Sequence, residues 1–188
     1  TYPFIIALVS VRAGTYPMSG NLFIALSVCL AGVVLVLGFS PEQISIAGIS
    51  FALLQAILAA ARILLTSRII TNTSGTLLTA RMLVGALLLA LPFCAFFSFA
   101  TPQSSLGWGA VGVAGLSGVI GHTCLALSLE RIEAVPFGVV MNLEPIFAAV
   151  FSALIVEHVL VPSQYLGCFL VVLAVCWHTF LKVRRRNA

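Results

Sequence analysis

The chain has 188 residues, of which 61% are apolar and only 7% charged, against about 25% charged in ordinary soluble domains. With a mean hydropathy of +1.19, this excludes a soluble globule and defines an all-α polytopic membrane protein, because lipid-exposed backbone must satisfy its own hydrogen bonds within helices. The net charge of +4 does not point to nucleic acid, since Lys182, Arg184, Arg185 and Arg186 crowd into the tail as a membrane-surface anchor.

Seven apolar runs follow in chain order. The first, residues 1–11, is too short to span a bilayer at 1.5 Å per residue. It begins at Thr1 and lacks the basic start of a signal peptide, so it reads as the partial end of a helix cut by truncation. Six runs are full spans: 21–39, 44–70, 76–99, 108–129, 135–156 and 165–181, with a basic tail at 182–188. Turn chemistry separates them, as at Ser40-Pro41-Glu42, Ser74-Gly75 and Pro162-Ser163. Cys29, Cys94, Cys124, Cys168 and Cys176 all lie inside apolar runs without CxxC spacing, and read as packing residues rather than metal ligands or disulfides.

Basic residues set the orientation. With the tail cytoplasmic, alternation places Arg12, Arg68 and Arg131 on the same side, while the opposite loops around Glu42, Gln103 and Glu157-His158 hold no Lys or Arg. Arg62 and Arg81 lie inside spans near the cytoplasmic end, where they can snorkel. Trp108 and Tyr165 fall at the outer interface and Trp177 at the inner one.

The third run carries a stripe of Gln55, Ala59, Arg62 and Thr66. The fifth carries Ala110, Ala114, Gly118 and His122, a small-residue surface suited to close helix contact. The sixth is the sharpest. At its middle sit Asn142, Glu144 and Pro145. A carboxylate at bilayer depth costs about 2.5–3.5 kcal/mol on the insertion scale, so it faces a protein interior or a wet cavity. Pro145 removes a backbone donor and frees a carbonyl one turn earlier. Transporters build their sites from such broken, polar midpoints.

The chain has no Asp, so carboxylate chemistry falls to Glu42, Glu130, Glu133, Glu144 or Glu157. Glu144 is the candidate for a substrate-amine contact or proton carrier, with a hydrogen-bonded structural role as the alternative. Asn142 lies about 200° around the helix from it, so both line one pocket only if Pro145 unwinds the turn. His122 offers an imidazole for proton coupling, or simply packs. Gln55 is a comparable polar candidate, and Arg62 and Arg81 are anion contacts or snorkelling anchors. Glu157 reads as an outer-interface contact.

Shifting the first two runs by 142 residues lays Pro3 on Pro145, Ala7 on Ala149 and Ser10 on Ser152. A repeat of that length holds five spans, and an odd number makes the two copies inverted.

The segment MNLEPIFAAVFSALIVEHVLVPSQYLGCFLVVLAV resembles the EamA-type repeat of the drug/metabolite transporter superfamily. Pro145 precedes the small Ala148 and Ala149, Glu157 stands at the helix end, and Gln164 and Gly167 open the last helix. HTCLALSLERIEAVPFGVV and TARMLVGALLLALP, with Arg81, are similar to other helices of that repeat. Glu144 before Pro145 is most similar to the branch exporting amino acids such as threonine and homoserine. Val156 departs from the Gly usual before the helix-end Glu, and His158 follows it.

The resemblance implies a ten-helix fold of two inverted five-helix repeats in the plasma (bacterial inner) membrane, with both ends cytoplasmic. Residues 1–39 would be the end of repeat one and 44–181 a complete repeat two. It implies a secondary transporter, an exporter of small metabolites by alternating access, with a proton as a coupling partner, no cofactor and no enzymatic activity. Two other readings stay open. Gly115-Leu116-Ser117-Gly118 matches the G-x-S-G of rhomboid-type proteases, although His122 lies about 140° round the same helix from Ser117. A half-size subunit that forms a homodimer would also rebuild an inverted pair.

Overall fold

The structure, a computed structural model, describes residues 2–38, 45–96, 101–155 and 160–187, without the side chains of 95 and 182–187. The described residues contain helices and no strand. Six of the helical stretches are long and apolar enough to cross a membrane: Gly20–Leu37, Ile46–Asn72, Gly75–Cys94, Ser105–Leu129, Ala134–Ile155 and Pro162–Leu181. The chain divides into two compact units, Thr1–Leu64 with Ala134–Ala188, and Leu65–Glu133.

In the first unit, α1 (Tyr2–Arg12) leads to α2 (Gly20–Leu37). Ser19 caps α2 by accepting from the Leu22 N–H at 3.3 Å, and Gly38 ends it at φ 61°, a left-handed conformation that favours glycine. α3 (Ile46–Ile69) begins in this unit. After α6 (Ala134–Val140) the chain makes a 3₁₀ turn, Met141–Leu143, and continues as α7 (Glu144–Ile155) and α8 (Pro162–Asn187).

The tightest packing joins α2 to α8. α2 buries Leu22, Ala25, Leu26, Cys29, Gly32, Val33 and Val36 along one stripe, and α8 buries Val171, Ala174, Val175 and His178. A Cβ on Gly167 would lie 2.6 Å from the Gly32 carbonyl oxygen and 2.8 Å from the Val36 nitrogen. Two backbones this close admit only glycine, which suits helices that associate by packing rather than by expelling water. Gln164 ties the same pair together, donating from Nε2 to the Val36 carbonyl at 3.0 Å while its Oε1 accepts from the Val161 N–H at 2.9 Å. α1 lies on α6, burying Pro3, Ile6, Ala7 and Ser10, with Pro3 and Ile6 against Gly138.

The second unit holds the end of α3, the 3₁₀ turn Ile70–Asn72, α4 (Gly75–Phe96) and α5 (Ser105–Leu129). The Glu130 carboxylate accepts from the Gly75 N–H, so the end of the α5 segment caps the start of α4. Ser104 caps α5, accepting from the Gly107 N–H at 3.1 Å. Only 6% of the α5 span is buried, and a Cβ on Gly109, Gly112, Gly115, Gly118 or Gly121 would meet nothing within 4 Å.

Boundaries differ from the apolar runs for local reasons. α5 starts at Ser105 rather than 108 because Ser104 supplies the cap, and α8 starts at Pro162 rather than 165 because proline suits a first helical turn. The tail expected as a separate segment continues α8 to Asn187; Lys and Arg are good helix formers, favoured at a helix C-terminus. Glu42, Glu157 and His158 lie outside the described residues.

Candidate functional site

The site is built by Pro145. A continuous α-helix would bond the residue 145 N–H to the Met141 carbonyl, and proline has no N–H to give. The Glu144 N–H donates to that carbonyl instead, which tightens the turn to 3₁₀ geometry. Asn142 lies within this turn. Its Nδ2 donates to the carbonyl oxygens of Val139 at 3.2 Å and Gly138 at 3.4 Å, and its side chain is buried. The break is thus closed by protein groups, as a site inside lipid requires.

Glu144 emerges on the other side of this turn. It opens α7, where the partial positive charge of a helix N-terminus favours a carboxylate, and its side chain is exposed. The Tyr2 hydroxyl donates to Glu144 Oε2 at 3.0 Å. Arg62, on α3, belongs to the same compact unit as Tyr2 and Glu144. On α3, Gln55 and Arg62 line an open cleft of about 570 Å³ with Phe51, Leu54, Leu58 and Ala59. Gln55, Arg62 and Glu144 therefore belong to the first unit, along with Asn142, which points into protein.

His122 and Arg81 lie in the second unit. His122 is exposed on α5 and donates from Nδ1 to the Gly118 carbonyl at 2.8 Å; Arg81 is exposed on α4. Another polar opening in this unit, about 520 Å³, is lined by Ser67, Thr71, Asn72, Thr73, Ser74 and Glu130 among others.

Three residues with structural parts here were not singled out as site candidates. Tyr2 reaches Glu144, Glu130 caps α4, and Gln164 caps the end of α2. The 142-residue shift that superposes Pro3 on Pro145 also places Tyr2 on Glu144, but as a pair of unlike residues that gives no repeat signal.

A carboxylate offers about four acceptor positions. With one oxygen engaged by a phenol, Glu144 keeps capacity for a proton or a cationic ligand. Among the described residues no group of three or more His, Cys, Asp or Glu could hold a metal ion.

These features define a multi-pass helical membrane protein with a span interrupted at a carboxylate. The EamA-like transporter family model matches residues 46–180, and the chain belongs to that family. No curated protein and no solved structure matches it. Members of this family are transporters rather than enzymes, so Ser117 is read as a residue of α5 and not as a nucleophile.

Proposed function

We propose that the protein is a secondary transporter that exports small amine-bearing metabolites such as amino acids by alternating access. Glu144 is the residue that carries this reading. It is the eleventh of the 22 residues in the span Ala134–Ile155, beside a break, exposed and with one carboxylate oxygen engaged by Tyr2. In the cycle the carboxylate is neutralised in turn by a proton and by the ammonium group of the cargo, so the empty, charged site does not cross. Arg62 and Gln55 supply a cation and an amide for the cargo's other end.

Two inverted repeats fit this reading. α2 and α8 begin at Gly20 and Pro162, 142 residues apart, the same shift that lays Pro3 on Pro145. The membrane is taken to be the bacterial inner membrane, with the C-terminus cytoplasmic by the distribution of basic residues. The test is efflux of radiolabelled L-threonine and L-homoserine from cells making the protein or its Glu144→Gln variant. The variant should lose export while remaining in the membrane at normal abundance.

A further inference from the structure

We propose that Tyr2 is a positioning residue for Glu144, holding one carboxylate oxygen so that the other is presented to cargo or proton; this rests on the transport reading above. The phenol is anchored by its own helix. Pro3, Ile6, Ala7 and Ser10 are buried, and α1 packs on α6, with Pro3 and Ile6 where a Cβ on Gly138 would meet them, one turn before the break. Glu144 has the opposite character: it is exposed, at the first position of α7, on a side chain with three rotatable bonds. The hydrogen bond at 3.0 Å joins a donor on a helix packed against α6 to an exposed acceptor, so the donor sets the acceptor's place.

The pairing also follows the internal repeat. Tyr2-Pro3 stands 142 residues before Glu144-Pro145, and the two residues that precede the aligned prolines meet each other. One copy contributes the acid and the other its hydrogen-bond donor. A phenylalanine at position 2 would fill nearly the same space and reach nothing, so the hydroxyl is the part that acts.

Labelling by dicyclohexylcarbodiimide tests this without knowledge of the cargo. The full chain in liposomes is treated with the reagent and the adduct at Glu144 is followed by mass spectrometry, with the adducts at Glu130 and Glu133 as internal references. Tyr2→Phe should speed labelling of Glu144 at least threefold, because the oxygen covered by the phenol is released. Phe4→Leu removes an edge-on ring contact with Phe23, at 6.2 Å between centroids, and loosens α1 without touching the bond; it should leave the rate unchanged. Equal rates in wild type and Tyr2→Phe, no adduct at Glu144 in Tyr2→Phe, or an equal rise in Phe4→Leu would each overturn the proposal. Normal export by Glu144→Gln would instead remove the transport reading and leave the hydrogen bond standing. Loss of export in that variant with no labelling effect would remove Tyr2 alone.

Discussion

Gly32 and Gly167 meet where α2 and α8 cross, each standing where a Cβ would fall within 2.8 Å of the other's carbonyl oxygen. Backbone atoms of the facing helix stand within 2.8 Å of each such Cβ, so the helices must part to admit a side chain. Overpacking of this kind costs roughly 1–3 kcal/mol. Gly167→Ala should therefore lower the thermal unfolding midpoint in detergent. Gly115→Ala on α5, where a Cβ meets nothing within 4 Å, should leave it unchanged or raise it slightly. Equal tolerance at both positions would contradict the close crossing.

Gln164 contributes to the same interface through its donor to Val36, while its acceptor closes the start of its own helix at Val161. Gln164→Leu loses both bonds and should cost about 1 kcal/mol for each. Gln164→Glu keeps an acceptor for the Val161 N–H but turns an oxygen toward the Val36 carbonyl, so it should also destabilise. Chemical or thermal unfolding of the two variants beside wild type reads this directly.

For Asn142 the order of two substitutions is informative. Asn142→Ala removes a buried donor from the Val139 and Gly138 carbonyls, at a cost of about 1–3 kcal/mol if they go unsatisfied. Asn142→Asp places acceptor against acceptor at the same point and should be the less stable of the two. The reverse order in thermal unfolding would mean that the amide is not donating to these carbonyls.

Glu130 is expected to matter to α4 and little elsewhere. Losing a side-chain cap costs about 0.5–2 kcal/mol. Glu130→Ala should speed amide hydrogen exchange in residues 75–78, while Glu130→Gln, which retains an acceptor, should do so less. Unchanged exchange in both variants would show that Ser74, which accepts from the Leu77 N–H at 3.4 Å, suffices as the cap.

Much of the fold was legible because a bilayer leaves a long apolar run little choice but to be a helix. Where the reading slipped, the first turn was polar: Ser104 and Pro162 start helices that hydropathy alone begins three residues later. The break at Pro145 was legible from one missing N–H. Its form was not, because tightening or unwinding depends on which group takes the freed Met141 carbonyl, and here the Glu144 N–H takes it. Tyr2 was hidden because its partner is 142 residues away, and a phenol aligned with a carboxylate does not register as a repeat.

The central claim is that the acid at the head of α7 moves cargo. Its most direct measurement is export of radiolabelled L-threonine and L-homoserine by Glu144→Gln against wild type, at matched amounts of protein in the membrane. The account predicts at least a tenfold loss of export in the variant. Export at the wild-type rate would contradict it.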